Sequence, residues 1–455
     1  MSRVGTFDGV AAQNISLKKV ALLFNQLGAE RLYVKKLSSN DNSKNQIYLG
    51  STADGLKEIP KGEWTPHISK SRKPQAREKK LLQNVIQFHW VSPDGGLIQA
   101  PNAKLIYYPQ YPEVRFSGFL KGSKVELSQW MNVDKSGRAE GRYLIWGVTD
   151  DDFSMGYFVA PDTYLSKELA KRPDSENLNL AMGAFQALSI GDFANHKASL
   201  ITLLKDIHLN SPHRGALLKK GKITPYKAQN AGGMTLESLL GIEPNGKALP
   251  YYHGYEVKGH SNSVITMMTP QPDGGLYAEE GAEKFVLKYG YPDVSGKPGR
   301  LNFGGAHRFA TIHPKTRLSV FLRGYSLKQP RTFEADGCLG LEDVEGTVAA
   351  TWSFIKLLNH WQSKHANTVF VPYSVDKSGP ENRYSYSSNV QFGEGTSFQM
   401  LLSSIALGNS YYDPGIKLEL NKSSGRLKQR NQWRVKKRHL SDLFETYSQV
   451  DLLAF

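Results

Sequence analysis

The sequence predicts a mixed α/β (α+β) protein whose first half is rich in β-strands and whose second half alternates strands with helices. With 455 residues, the chain is long enough for two domains. An apolar content of 40% supplies material for packed cores and excludes wholesale disorder. A polar stretch bearing Gly and Lys, residues 219–233, is the best linker candidate. We therefore divide the chain into residues 1–222 and 223–455.

The first half begins with a helical pattern that gives way to strands. Residues 17–27 carry apolar side chains at helical spacing, and Gly28 follows as a stop signal. Strand-like apolar runs lie at residues 31–34, 46–49, 85–91, 103–108, 114–120, 142–148 and 155–159. The last two runs flank Asp150-Asp151-Asp152, which predicts a hairpin. Residues 199–209 then return to helical spacing.

The second half opens with a short predicted helix over residues 235–240, with Thr235 as its N-cap. Strands are expected at residues 255–257, 264–268, 318–324, 368–371 and 416–420. Helices are expected at residues 352–365, 396–407 and 440–447. In the first of these helices a core-facing stripe is formed by Trp352, Ile355, Leu358 and Trp361. Alternating strands and helices predict a mixed sheet flanked by helices.

The net charge of +15 is concentrated in two stretches. Residues 70–80 hold six basic residues against one acid, and residues 417–440 hold nine against one. Asn431, Gln432 and Trp433 interrupt the second stretch with side chains that can bond base edges or stack on bases. A nucleic acid is therefore the expected partner. The first stretch, which contains a proline, is either a loop that touches DNA backbone or a solvated loop.

Cysteine content and hydropathy limit the cellular compartments in which the protein is expected. The one cysteine, Cys338, excludes an intrachain disulfide and a cysteine-rich zinc or iron–sulfur site. No run approaches the roughly 18–20 apolar residues of a membrane helix, and the first residues lack the apolar core of a signal peptide. We expect a cytoplasmic protein with no membrane partner.

A strand-like segment reads Gly254-Tyr255-Glu256-Val257-Lys258 and follows the helix that bears Glu237. Because alternate strand residues face the same side, Glu256 and Lys258 project together. In metal-assisted phosphodiester hydrolysis, a carboxylate holds a divalent ion while a lysine positions water and offsets developing charge. Glu-x-Lys pairs are also common as exposed ion pairs. The pair alone therefore does not indicate a nuclease, and the neighbouring motifs must be considered.

Those surroundings resemble the MvaI/BcnI family of restriction endonucleases, relatives of MutH within the PD-(D/E)xK nuclease fold. The resemblance runs from about Gly232 to the end of the chain. Its motifs, in order, are Leu-Glu-Ser-Leu-Leu at 236–240, the Gly-Tyr-Glu-Val-Lys strand, Leu-Asn-Phe-Gly-Gly-Ala-His at 301–307, the helix from 352, Tyr-Asp-Pro-Gly-Ile-Lys at 412–417 and Arg-Asn-Gln-Trp-Arg at 430–434. The stretch from Arg31 to Gly50 looks like the extra domain of longer members. A PD-(D/E)xK-like mixed sheet is thus expected in the C-terminal half, with a β-rich domain before it.

The resemblance assigns catalytic and metal-binding roles. Glu256 matches the family's second metal-binding acid, Lys258 its catalytic lysine, and Glu237 the helical glutamate beside the metal. The expected ion is Mg²⁺, with Mn²⁺ as a substitute. The family's first acid should stand at position 251, where this chain has Tyr251 after Pro250. A phenol is a poor principal ligand for a hard cation. Glu237 could be the main ligand, a loop could shift the register, or the site could be weak and serve binding.

The resemblance also places the base-reading segment at residues 426–436, inside the second basic stretch. Arg430 and Arg434 are the candidates for guanine contacts, because a guanidinium can bond O6 and N7 together. Lys422, Lys436 and Lys437 are candidates for phosphate contacts. His307 is a candidate for the DNA backbone, and His260 is a candidate neighbour of Lys258. The other DNA-binding candidates in this segment are Arg426, Lys428, Asn431 and Gln432.

The leading hypothesis is a Mg²⁺-dependent, type II-like endonuclease that hydrolyses double-stranded DNA in restriction or anti-phage defence. The N-terminal half is a candidate sensor of a DNA feature such as modification. The alternative, motivated by Tyr251, is a DNA-binding protein with a weak or inactive nuclease site. RNA binding stays open as a third reading, because charge and aromatic content do not separate the two nucleic acids. The sequence does not determine the recognition site or the oligomeric state, and it is compatible with a monomer.

Overall fold

The computed structural model has a mixed α/β fold, as predicted, and divides into two compact units. The units are Met1–Leu200 and Ile201–Phe455. The described residues are 7–38, 45–54, 56, 58–69, 79–132, 134–137, 139–149, 153–172, 183–188, 196–243, 255–362, 367–421 and 426–455. Among them, no helix is long and apolar enough to cross a bilayer.

The first unit is rich in β-strands, as expected. Its helices are α1 (Val10–Gln13), α2 (Leu17–Gln26), α3 (Ser128–Met131) and α4 (Tyr164–Ala170). Its strands are β1 (Ala29–Lys36), β2 (Ile47–Gly50), β3 (Thr65–Ser69), β4 (Lys79–Val85), β5 (Phe88–Val91), β6 (Leu97–Gln99), β7 (Lys104–Tyr108), β8 (Glu113–Ser117), β9 (Tyr143–Thr149), β10 (Ser154–Val159) and β11 (Gln186–Ala187). They form one sheet in the order β11-β1-β9-β10-β5-β6 and another in the order β2-β8-β7-β4-β3.

The core of the first unit forms around strands β9 and β10, in which every residue is buried. Aromatic rings fill the space beside them: Phe88 lies 4.8 Å from Trp146 and 4.9 Å from Phe116, measured between ring centroids. The predicted continuous strand at 85–91 is wrong. The chain leaves one sheet after β4 and enters the other at β5, so the apolar run is divided between two sheets. The acidic turn at 150–152 and most of the first basic stretch, residues 70–78, lie outside the described residues.

The second unit contains more helix, distributed among short sheets. Helix α5 (His196–Leu209) joins the two units in sequence, and the others are α6 (Ala231–Leu239), α7 (Leu276–Glu279), α8 (Gly281–Tyr289), α9 (Phe354–Gln362) and α10 (Phe398–Ala406). Single 3₁₀ segments cover Lys437–Leu443 and Leu452–Ala454. The strands are β12 (His213–Arg214), β13 (Ala216–Lys219), β14 (Lys222–Pro225), β15 (Tyr255–His260), β16 (Val264–Met268), β17 (Tyr291–Pro292), β18 (Arg300–Gly304), β19 (Ser319–Tyr325), β20 (Phe333–Glu342), β21 (Val348–Ser353), β22 (Asn367–Asp376), β23 (Arg383–Tyr386), β24 (Asn389–Glu394), β25 (Ser410–Tyr412), β26 (Gly415–Glu419), β27 (Leu427–Lys428), β28 (Trp433–Lys436) and β29 (Thr446–Asp451).

Two sheets of this unit position the candidate site. Strand β15 pairs in parallel with β22, which continues through β24 to β29. Strand β16 pairs with β28 in a second sheet, in the order β16-β28-β25. The residues between β15 and β16, 261–263, therefore connect the two sheets directly. Helix α6 approaches β15 closely, because a Cβ at Gly259 would lie 3.3 Å from the Cα of Gly233.

Several local predictions for the second unit are wrong. Residues 219–233 are no open linker, since they contain strand β14 and the start of α6. Helix α6 begins at Ala231 with Asn230 as N-cap, and Thr235 is buried within it. Trp352 belongs to strand β21, and helix α9 starts at Phe354. Residues 440–447 form no α-helix, because the chain takes a 3₁₀ turn and then adds β29 to the edge of β24.

Three large rings form the core beneath strand β28. The centroid of Trp433 lies 5.3 Å from that of Trp352 and 5.2 Å from that of Tyr412. All three side chains are at most 1% exposed. Such edge and tilted contacts add to the large apolar area that each ring removes from water. This cluster fixes β28 against β21 and β25.

We expect Trp433→Ala to destabilise the second unit by about 3–5 kcal/mol, because it removes a buried indole and leaves a cavity. Urea unfolding followed by circular dichroism measures the loss. Leu407→Ala is the control: Leu407 is 61% exposed, so its truncation should change the free energy of unfolding by less than about 0.5 kcal/mol. Similar losses in the two variants would contradict the packing argument.

Candidate active site and nucleic-acid interface

Glu256 and Lys258 lie side by side on strand β15, as their alternation predicted. The Lys258 Nζ is 3.3 Å from Glu256 Oε1, and both side chains are largely removed from solvent, with 17% and 7% exposed. Tyr255 faces the other way, and its hydroxyl donates to Glu394 Oε1 at 2.7 Å. A buried ion pair gains little net stability, because desolvation offsets attraction. The attraction between the two groups therefore does not by itself account for their burial.

Glu237 comes to the same place from helix α6. Burial, reinforced by the negative charge of Glu256, raises the pKa of Glu237 to about 7, while the Lys258 ammonium acts in the opposite direction. The helix is held in place by buried Leu236 and by the Thr235 hydroxyl, which accepts from the Ala216 amide at 2.9 Å. The structure thus brings together the three residues that the sequence selected from separate elements.

This donor set suits a hard divalent cation. Two carboxylates close enough to raise a pKa by mutual repulsion would be relieved by a cation placed between them. Mg²⁺ keeps several of its waters and commonly uses only one or two protein carboxylates. Within the described part of the chain, no group of three or more His, Cys, Asp or Glu side chains is arranged for a metal. Tyr251 and Pro250 lie outside the described residues.

His260 stands at the end of β15 beside the basic segment. Burial lowers the pKa of His260 and the charge of Lys437 lowers it further, while hydrogen bonds with Gln391 and the Asn262 backbone oppose the shift. The Lys437 amide in turn donates to the Ser263 carbonyl at 2.8 Å. The residues that follow strand β15 therefore contact the end of the basic segment. His260 lies two residues beyond Lys258 on the same strand.

Strand β28 displays the basic segment by strict alternation. Trp433 and Val435 are buried, whereas Arg434 is half-buried and Lys436 is exposed. Arg434 Nη1 forms an ion pair with Asp413 Oδ2 at 2.7 Å. The Asp413 amide donates to the Gln432 carbonyl at 2.8 Å, which fixes the acid beside the strand. The sequence prediction passed over Asp413, although it lies within the Tyr-Asp-Pro-Gly motif.

The remaining cations differ in their surroundings. Arg426 forms an ion pair with Glu283, which keeps it at the side of helix α8. Arg430, Lys428 and Lys437 are exposed, so they can reach a polyanion without reorganisation of the core. Gln432 is half-buried. Lys422 lies outside the described residues.

Three residues predicted to contact nucleic acid are instead interior. Asn431 is 4% exposed; its Oδ1 accepts from the Tyr412 hydroxyl at 2.5 Å and its Nδ2 donates to the Tyr277 hydroxyl at 3.1 Å. Trp433 belongs to the core cluster, so it offers no face for base stacking. The side-chain amide of Asn431 thus forms hydrogen bonds within the protein and anchors the segment that carries Arg430. Asn431 and Trp433 are interior because this segment, although basic overall, packs against other parts of the chain.

His307 is the third interior residue, with no exposed surface. Its Nδ1 donates to the Gly305 carbonyl and its Nε2 accepts from the Thr316 hydroxyl, both at 2.8 Å. The ring stacks on His313 with centroids 4.3 Å apart. Burial, followed by the charge of His313, lowers the pKa of His307 to about 3. A neutral, enclosed imidazole cannot serve as a DNA-backbone cation, so this prediction is wrong.

Arg308, which the sequence prediction missed, reaches the surface beside strand β25. Its guanidinium lies 4.3 Å from the ring centroid of Tyr411, and Tyr411 is paired with Arg434 across the β25–β28 ladder. In the sequence, Arg308 directly follows His307 and belongs to no pattern that indicates a surface role. Its placement depends on the contact between distant strands.

The chain is similar to proteins of one known family. The sequence profile of the MvaI/BcnI restriction endonuclease family matches residues 201–444. Among solved structures, that of the restriction endonuclease MvaI with its cognate DNA substrate is 17% identical, with a TM-score of 0.43. MvaI in the absence of DNA is 15% identical, with a TM-score of 0.32. Each match covers 56% of this chain and 98% of the other. No curated protein matches the chain. The profile spans just over half of the residues, and the chain belongs to the MvaI/BcnI restriction endonuclease family.

Proposed function

We propose that the protein is a Mg²⁺-dependent endonuclease that hydrolyses phosphodiester bonds of double-stranded DNA. The observation that carries this proposal is the buried Glu256–Lys258 pair beside Glu237, on a strand that leads directly into the sheet of the basic segment. A cytoplasmic restriction or anti-phage defence role is the setting that we propose for it. The N-terminal unit, by this proposal, senses a feature of the DNA such as modification.

Glu256 and Glu237 would hold the ion, which when bound supplies Lewis-acid stabilisation and activates water. The other contributions come from the protein. Lys258 Nζ lies where it can hydrogen-bond a water and offset negative charge that develops on the phosphate. Burial strengthens that effect, because fewer solvent dipoles screen the ammonium. Glu237 must be ionised to bind a cation. Because its pKa is about 7, the fraction of ionised Glu237 rises steeply between about pH 6 and pH 8.

We assign sequence reading to the outward side chains of residues 426–436. A guanidinium matches the O6 and N7 acceptors of guanine, so Arg430 and Arg434 would read bases. Asp413 holds Arg434 in one orientation at 2.7 Å, which reduces the conformational entropy lost on reading. The exposed ammonium groups of Lys428, Lys436 and Lys437 would contact phosphates, which set position and affinity.

A second function is favoured by one residue, Tyr251, where the family's first aspartate is expected. A protein lacking that ligand would bind DNA through the same basic segment and cleave it weakly or not at all. Adding Mg²⁺ or Mn²⁺ to plasmid and protein separates the two proposals. If DNA is bound but stays intact, and Tyr251→Asp creates cleavage, the binding function is correct.

Under the nuclease proposal, Glu256→Gln and Lys258→Met should each lower the rate of plasmid cleavage by about 10²–10⁴-fold, since each removes a group that acts in the transition state. Single-turnover cleavage of supercoiled plasmid with Mg²⁺ measures this rate. Glu279→Gln, at an exposed helical glutamate, is the matched control and should cleave as the wild type does. Cleavage that survives in either site variant would exclude the assignment.

We expect Glu237→Gln to stabilise the metal-free protein at pH 8. The folded-state pKa of about 7 lies above the usual value of 4.5, so this glutamate lowers stability progressively as pH rises from 4.5 to 7. Removing the charge should add roughly 1–3 kcal/mol to the free energy of unfolding at pH 8 and nothing near pH 4. Urea titrations at both pH values measure this. Equal effects at the two pH values would show that the charge is not the cause.

We expect Arg434→Lys to relax sequence discrimination more than affinity, because lysine keeps the charge but loses the two-pronged contact. Discrimination at one base pair should fall by about 1–3 kcal/mol. Sequencing the ends of plasmid fragments cut by each protein measures it. Lys436→Gln is the control, which should slow cleavage at all sites alike. An unchanged set of cut sites in Arg434→Lys would exclude Arg434 as a reader.

A further inference from the structure

A lysine-rich hairpin stands at the start of the nuclease unit, outside the two basic stretches already described. Strands β13 and β14 pair with each other, with Lys219 opposite Lys222, and form a two-stranded sheet of their own. The turn residues Lys220 and Gly221 have φ values of 51° and 69°, as in the tight turns that match the twist of a hairpin. This conformation presents three lysines around one tip, all exposed.

The charge around this hairpin has one sign in the sequence. Residues 207–236 contain five basic residues and no Asp or Glu. An acid approaches from a later segment, since the Glu243 carboxylate accepts from the Gly221 amide at the tip. Three lysine charges against one carboxylate still leave the tip positive. Mutual repulsion among the lysines lowers the stability of the hairpin, which is anchored to helix α6 at its base. A bound polyanion would relieve this repulsion.

The hairpin is fixed relative to the candidate active site. The Ala216 amide at its base donates to Thr235, two residues before Glu237 on helix α6. At about 3.3 Å per residue, its four-residue strands carry the tip roughly 13 Å from that base. A groove of about 410 Å³ follows the hairpin, lined among others by Arg214, Lys227 and Glu381. Lys227 and Glu381 form an ion pair across it at 3.2 Å.

We propose that Lys219, Lys220 and Lys222 bind the phosphate backbone of duplex DNA. The inference rests on the proposed function, because it takes the same DNA as ligand. Flexible ammonium groups act as point charges and carry no base code, so the contact adds affinity without sequence preference. A membrane is a poorer partner, because Ile223 is the large apolar side chain exposed on the hairpin and one such side chain gives little insertion.

The test compares two triple variants. The first, K219Q/K220N/K222Q, removes the charges and uses Asn at 220 because Asn tolerates a positive φ. The second, K219R/K220R/K222R, keeps the charges and serves as the matched control. Binding to a 40-base-pair DNA duplex of mixed sequence is measured without metal over a range of NaCl concentrations. Thermal unfolding of each protein shows whether the fold is retained.

The neutral variant should lose about two to three from the slope of log affinity against log salt, since each phosphate contact contributes about 0.9. Its affinity at moderate salt should fall about 10–100-fold, and the arginine variant should match the wild type. An unchanged slope in the folded neutral variant would overturn the proposal, as would a greater loss on duplex RNA or anionic vesicles than on DNA. Because the assay needs no cleavage, an inactive protein that binds DNA would refute the nuclease function and leave this inference standing.

Discussion

The connection between strands β15 and β16 is the constraint on which the site depends. Three residues, 261–263, join the strand that carries Glu256 and Lys258 to a strand that pairs with β28. Backbone hydrogen bonds then hold β15 against β22 and β28 against β16. A connection of three residues therefore limits how far the Glu256–Lys258 pair can move relative to the basic segment.

Burial in the second unit serves two opposed purposes. The rings of Trp352, Tyr412 and Trp433 gain free energy by leaving water, and they hold β28 rigidly. Glu237 loses hydration in the same unit, and this burial, reinforced by the charge of Glu256, raises its pKa to about 7. Apolar packing therefore offsets the electrostatic cost of a buried carboxylate pair, a cost that the cation proposed above would remove. Stability and activity are expected to compete at this site.

Local patterns predicted the parts of the fold and site that depend on local geometry. The alternation at Glu256 and Lys258 was sufficient to place both on one face, and helical spacing located α2 and α5 closely. Contacts between distant segments decided the rest. Asn431 and His307 are interior because residues far along the chain enclose them, and residues 219–225 form a hairpin through mutual pairing. Charge counting found the basic segment, but it could not separate exposed Arg430 from buried Trp433. Asp413 became recognisable only through its contact with Arg434.

The alternation along β28 has an evolutionary consequence. Because side chains on a strand change faces with every residue, a single-residue insertion before Trp433 that shifts the register of the whole strand would turn Arg434 into the aromatic core and expel Trp433. Such an insertion would change the surface only by disrupting the core. Substitution at the outward positions stays open, since it leaves the core untouched. Divergence among related enzymes should accordingly proceed by exchange of side chains on a strand of constant length.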